Sequence, residues 1–578
     1  MKQILCLLLA LTLLFGCAFA ESAGSEQLET HEITAKEMRM YLTSIEKYLT
    51  LKVYFVDGAK DLPWMDFEAW SEVLRILHQD IFGEKDYQTF FSAEGEKATI
   101  TRENGYYMQA DFHEKTLYFS DYNGFLHVPG ETTPLLDLVS ETGFNAEGEP
   151  ELFKRMTDAS FDRCGDAVQL NLGAYGIDMI IYEGCYLVPM QTLGDFTLAQ
   201  ALQVDTFFNG REIFIANKRD LIRNSLGYTQ LGERYYSSMP TDRSEKLAQY
   251  GYHELCLVLD KMYGLKQPHE IEDFSQIFWQ IGLDEPLQSV SASDADLALY
   301  AFLDYYLDDV HTYFNGFSWM NGKEQTFGMT GTASAKMNGQ ITRYRAARTA
   351  ALGEQFAQYQ EVGNTAYITF DRFDDEDAGN YYEKIKRGIV PQDTIGLIIY
   401  AHNRIYRDDS PIENVVIDLS NNTGGSVNAA VFTVAWFLGE ASLSVKDTFT
   451  GALSTAVYRA DVNLNREFND GDTVSEKKLY CLVSPVSFSC ANMVAAAFKA
   501  SDQVTLLGRT TSGGSCTVQF LSTAWGAHFD ISGPNRMSFQ RNGSFYDIDQ
   551  GVEPDFIISR IEHFYDREAL TEYINRLF

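Results

Sequence analysis

The spacing of apolar residues changes character twice along the chain. From about Glu21 to about residue 215, short β-type runs alternate with turns. From about Leu221 to Val310 the period becomes helical, and Leu299, Leu303, Tyr306, Leu307 and Val310 share one stripe at i, i+3, i+4 spacing. Near-continuous apolar strands follow at Thr365–Phe370, Val415–Leu419, Leu479–Val483 and Val504–Leu507, with helical stretches at Ala429–Leu438 and Asn492–Lys499. Strands apolar on both faces that alternate with helices predict an α/β unit around a mostly parallel, two-side-covered sheet. The expected division is a β-rich module over 21–215 and a second domain over 216–578. The latter splits into a helical lead-in (221–310) and an α/β core (311–578). Within the β-rich part, Val53–Gly58 with Leu62-Pro63 echoes Met179–Gly184 with Val188-Pro189. Each pairs an apolar strand and an acidic-Gly turn with an apolar-Pro step, which suggests an internal duplication.

Composition narrows the partners. The 578 residues are 45% hydrophobic, which permits two or three folded units rather than a disordered chain. Lys and Arg total 46 against 81 Asp and Glu, for a net charge of −35. Such a surface repels phosphate backbones, so nucleic acid is not an expected partner. The first residues read as an export signal over 1–20: Lys2, an apolar run from Ile4 to Phe15, and the small-x-small site Ala18-Phe19-Ala20. Leu14-Phe15-Gly16-Cys17 also has the form of a bacterial lipoprotein box, in which Cys17 would be lipidated and tether the chain to a membrane. Either route places the mature protein outside the cytoplasm, secreted or on the cell surface. Of eight cysteines, Cys6 and Cys17 fall in this segment, and none of the others forms a CxxC or another zinc-like spacing. Cys164 and Cys185 are the nearest pair in sequence. No metal or cofactor is expected.

Four short stretches carry chemistry-bearing residues where strands or helices give way to loops: Asp308-Asp309-Val310-His311-Thr312, Ile417–Gly425, Ser487–Asn492 and Gly508–Gly514, the last closed by Gly551–Asp555. Ser489 would stand at a helix N-terminus, where free N–H groups favour the negative charge that develops when a serine attacks a carbonyl. The Cys490 N–H could supply one oxyanion donor, and the Gly424-Gly425 turn a second. The same serine could instead be an ordinary N-cap, and His311 could be an ordinary helix-terminal histidine.

Taken together, the ordered set DDVHT, IDLSNNTGG, SFSCAN, GRTTSGG and GVEPD resembles the catalytic domain of the C-terminal processing and tricorn-type serine peptidases. The resemblance runs from about residue 220 to 578. It implies a crotonase-like α/β fold, peptide-bond hydrolysis, a peptide or protein substrate, and Ser489 as nucleophile. The Ser–Lys branch of that family places its base in the loop that reads Gly513-Gly514-Ser515-Cys516-Thr517 here, and there is no lysine in it. The resemblance therefore points to the histidine-dependent arrangement, with His311 as base. Ser420 stands where the family usually has Arg, and Asn492 where it often has Glu. No PDZ-like insert is recognisable between His311 and Asp418. The family's triad acid lies shortly before the GVxPD ending, where Asp547 and Asp549 both fit; Asp549, two residues before Gly551, is favoured.

Two other readings use the same residues: a peptide- or ligand-binding protein on this fold that has lost its chemistry, and an esterase or amidase for small molecules. One further stretch, Asp461–Asp472, places oxygen ligands at calcium-loop positions 1, 3, 5, 9 and 12. Position 6, normally Gly, is Arg466, so a solvated acidic loop is the expectation.

Overall fold

The computed structural model describes residues 31–577 except 128–138, 140–141, 145–149, 153, 164, 222–228, 322–329, 376–380 and 383–392. The export segment with Cys17, and also Cys164, lie outside the described residues.

The predicted parallel sheet is present. Its strands are ordered Tyr359–Val362, Thr365–Thr369, Asn414–Asp418, Lys478–Val483, Val504–Gly508 and Phe556–Ile557. The first pair is antiparallel and the remaining junctions are parallel. The register aligns Ile368, Ile417, Cys481 and Leu506 across four strands. Because side chains alternate along a strand, these residues share one face. They pack beneath the helices Val427–Leu438 and Cys490–Ser501 in one apolar core. Tyr367, Val416, Tyr480 and Leu507 point the other way, into a second core with Tyr344, Phe564 and Ile574. Both faces are covered, which is why these strands read as unbroken apolar runs. The carboxyl ends of three neighbouring parallel strands lead into the loops 419–425, 484–489 and 509–514, and clefts form at such ends.

A second six-stranded sheet combines the two halves of the chain. Lys154–Arg163 pairs with Leu453–Ala460, followed by Ala441–Asp447, His528–Ser538 and Tyr313–Gly316. Cys516–Ser522 pairs with His528–Ser538 as well. The β-rich region also forms a seven-stranded and a five-stranded sheet. The two echoed segments lie side by side in the seven-stranded sheet, with Pro189 opposite Trp64. Asp57-Gly58 and Glu183-Gly184 both turn through positive φ, and each segment leads into a helix ending in a π-turn. One continuous apolar core joins this sheet to the helices Glu245–Met262, Phe274–Ile281 and Ala292–Ala301 and to Phe520, Trp525 and Ile531.

The helical stripe expected up to Val310 stops earlier. The Ala292–Ala301 helix widens into a π-turn over Phe302–Leu307 and ends at Asp308, whose φ is 46°. That carboxylate accepts from the Ala333 and Ser334 N–H groups at 2.5 and 3.1 Å, so it caps the next helix, Thr332–Leu352.

Candidate active site

Ser489 stands at the start of the Cys490–Ser501 helix with φ 57° and ψ −126°. A non-glycine residue there is strained, and such strain collects at functional sites. Its hydroxyl makes no capping bond to the helix, so the ordinary N-cap role is not the one it plays. The backbone is fixed by neighbouring loops: the Ser489 N–H donates to Gly513 O at 2.8 Å, and the Phe488 N–H to Asn422 O at 3.3 Å. Ser487, the alternative serine, is fully buried and donates its hydroxyl to Leu419 O at 2.7 Å. Cys490 is also buried, which pushes its thiol up to about 12, and it donates to Gly425 O at 3.1 Å. A thiol held that high stays protonated and is not the nucleophile.

The Gly424-Gly425 turn presses against Ser489. A Cβ on Gly424 would lie 2.6 Å from Ser489 Cβ and 3.0 Å from its Oγ, so only glycine fits. The Gly424 N–H donates to Asn422 Oδ1 at 2.9 Å, within the turn itself. Among the described residues, no hydrogen bond claims the Gly425 or Cys490 N–H.

His311 lies on the loop after Asp308, buried against the Phe488 ring at 4.6 Å between centroids. Asp309 pins this loop: its carboxylate accepts from the His311 N–H at 3.2 Å, the Thr312 hydroxyl at 2.8 Å and the Tyr263 hydroxyl at 3.4 Å. Burial holds the imidazole below its ordinary 6.5, while Asp309, Asp549 and Asp530 pull the other way. His311 Nδ1 is buried without a partner. Among the described residues, no hydrogen bond joins His311 to Ser489 or to Asp549.

Asp549 faces inward with its side chain 12% exposed, whereas Asp547 is 56% exposed. Asp549 accepts from the Ser515 N–H at 2.7 Å, the Ser515 hydroxyl at 3.0 Å and the Arg536 guanidinium. The same arginine reaches Asp547 at 2.8 Å. Arg536 carries no motif that sequence reasoning could have picked out, whereas Ser515 lies in the loop that lacks the family's lysine. Asn492 acts as a clamp on this segment: its amide donates to Ile548 O at 2.9 Å, and its carbonyl accepts from Thr511 at 2.6 Å. Ser420 meets the Tyr565 hydroxyl at 3.0 Å, and buried Asp418 pairs with Arg567 at 2.6 Å.

In the calcium-like loop, Asp461 accepts from the Asn465 and Arg466 N–H groups, and Asp472 from those of Val462, Asn463 and Asn469. Among the described residues, no group of three or more His, Cys, Asp or Glu side chains is placed to hold a metal. Cys185, Cys256, Cys481, Cys490 and Cys516 are free thiols.

A strained serine thus stands beside a two-glycine turn, and a buried histidine packs on the neighbouring Phe488 ring. The sequence model of peptidase family S41 matches residues 364–558, the stretch holding the parallel sheet, the glycine turn, Ser489 and Asp549. Over this segment the chain is similar to that family, which supports a serine-type peptidase. His311 lies outside the match. No curated protein matches the chain. Among solved structures, a lipoprotein from Streptococcus agalactiae is similar at 16% identity over 59% of this chain and 98% of its own, with a TM-score of 0.34. Mature CPAF complexed with lactacystin is similar at 11% identity over 58% and 97%, with a TM-score of 0.36. The photosystem II D1 C-terminal processing protease is similar at 18% identity over 35% and 45%, with a TM-score of 0.25. Likenesses of this size carry no functional weight.

Proposed function

We propose that the protein hydrolyses peptide bonds outside the cytoplasm through Ser489, His311 and Asp549 on a crotonase-like scaffold. The observation that carries this reading is the Ser489 backbone, strained at a helix N-terminus with its hydroxyl left out of capping. Ser489 Oγ attacks the substrate carbonyl carbon while His311 takes its proton. The Gly425 and Cys490 N–H groups receive the oxyanion, and Gly424 admits the serine to the turn. His311 then returns the proton to the departing amine, and water releases the acyl group by the same route in reverse. Removing one such oxyanion donor typically costs ~10²–10³ in turnover.

The orphaned His311 Nδ1 is where an orienting carboxylate belongs, and Asp549 is the inward-facing candidate. Catalytic hydrogen bonds are often long before substrate binds, so the open His311–Ser489 geometry is compatible with this role. Export follows from the 1–20 segment, with cleavage after Ala20 or lipidation at Cys17. Among the described residues, no helix is long and apolar enough to cross a membrane.

A serine-reactive fluorophosphonate probe tests the nucleophile. Wild-type protein should be labelled and should cleave peptides, and Ser489→Ala should do neither while remaining folded. Equal labelling of the mutant would remove the assignment.

A further inference from the structure

We propose that Arg372 is the specificity-determining residue of this cleft and that it takes a substrate carboxylate next to the scissile bond. The proposal rests on the serine peptidase reading above. Asp371–Phe373 runs beside the glycine turn: the Thr423 N–H donates to Asp371 O at 3.1 Å, the Phe373 N–H to Gly424 O at 2.8 Å, and the Ser426 N–H to Phe373 O at 2.9 Å. The Arg372 stem crosses Gly425 closely enough that a Cβ there would lie 2.9 Å from Arg372 Cγ. The residue is exposed, and its stem lies over the turn that would offer the oxyanion donors. Its charge is felt at the Tyr313 hydroxyl, and Tyr313 follows His311 by two residues. The stem thus lies on the oxyanion side of the cleft, and the charge reaches the strand that follows His311.

The carboxylates packed around the cleft already have partners. Asp371 takes Arg348 through two bonds of 2.5 and 2.7 Å, with Arg345 at 3.9 Å. Asp530 takes Lys218 at 2.5 Å, Asp547 and Asp549 share Arg536, and Asp309 holds three donors. Among the described residues, Arg372 makes no ion pair. In a chain of net charge −35, the overall field repels an acidic peptide, although salt screens that field beyond about 8 Å. A free guanidinium at the turn supplies the short-range attraction that admits a carboxylate, in the geometry arginine is suited to. The carboxylate could come from an acidic side chain or from the free C-terminus of the peptide.

Internally quenched peptides of one parent sequence separate these sources. One set carries Glu, Gln or Lys at each position flanking the cleaved bond, and one pair ends in a free acid or an amide. kcat/KM is measured for wild type, Arg372→Lys and Arg372→Glu, with fluorophosphonate labelling to show that Ser489 is assembled in each. Wild type should prefer Glu to Gln at one position, or the acid to the amide, by ~10–100-fold. Arg372→Lys should keep a weaker form of that preference, and Arg372→Glu should reverse it towards Lys or amide. Equal rates across both sets in wild type, or a preference that survives in Arg372→Glu, would overturn the proposal. Absence of both labelling and cleavage in wild type would instead remove the peptidase reading, and this inference with it.

Discussion

Two groups of carboxylates in this chain handle charge in opposite ways. At the candidate active site, Asp549 meets the guanidinium of Arg536, itself 8% exposed, together with two donors from Ser515. Where the 195–199 π-turn, Asp205–Phe208, Glu245–Met262 and Cys516–Ser522 converge, Asp195, Asp205 and Glu254 lie fully buried, and among the described residues no cation pairs with them. Burial raises all three: Asp195 well above the carboxylate range, Asp205 and Glu254 to about 7. Asp195 Oδ2 and Glu254 Oε1 each lack another partner and lie within hydrogen-bond reach of one another, so a retained proton satisfies both. One carboxylate is thus matched with a cation, while the buried three are pushed towards their neutral form.

The largest effects should come from the charged group. Asp549→Asn should lower turnover by up to ~10⁴-fold, the scale seen when a triad carboxylate becomes an amide. Asp547→Asn, at a half-exposed position, should be mild. Arg536→Met should leave the half-buried Asp549 with only its Ser515 donors, lowering stability by about 1–3 kcal/mol and turnover by ~10²-fold through misplacement. Steady-state kinetics and urea unfolding of the three variants rank them. A wild-type rate in Asp549→Asn, or the reverse ranking of the two aspartates, would move the acid elsewhere.

The next effect is the acid limb of the rate profile. Burial lowers the His311 pKa, so the imidazole stays neutral and basic below the ordinary histidine range. Activity should persist as pH falls through 6.5 and decline only below it. The stability sign agrees: a histidine depressed in the fold favours the unfolded chain as pH drops below 6.5, because the unfolded state binds more protons there. A kcat/KM profile with its acid midpoint at or above 6.5 would contradict the burial, and a His311→Ala enzyme near the wild-type rate would remove the base.

The two regions were unequally legible in the sequence. The parallel strands announced themselves because both faces are covered, and Ser489, His311 and the glycine turn sit at strand or helix ends where short motifs survive. Arg536 lies inside an ordinary strand, and nothing around it marks a partner eleven or thirteen residues away. The Lys154–Arg163 strand looked like part of the N-terminal module, yet it pairs with Leu453–Ala460 some 300 residues on. Such pairings are set by tertiary packing, which local pattern does not encode. The three buried acids were equally hidden, since they are far apart in sequence and only the fold brings them together.

The smallest effect tests the neutral group. Its raised pKa values mean that the folded state binds more protons than the unfolded one between about pH 4 and pH 7. This contribution is fully present below the unfolded carboxylate pKa and is lost as pH rises through 7. Asp195→Asn supplies a permanently neutral side chain whose amide can donate to the unpartnered Glu254 Oε1. The variant should match wild type only below about pH 4, where the acid is protonated in both the folded and the unfolded state. At pH 8–9 it should be the more stable protein, by on the order of 1 kcal/mol, since one pKa unit corresponds to 1.36 kcal/mol. Urea midpoints of both proteins across this range decide the matter. A difference that is constant with pH would mean that the amide changes packing alone. A wild type that gains on the variant as pH rises would mean that Asp195 is charged in the fold, and the contrast with Asp549 would collapse.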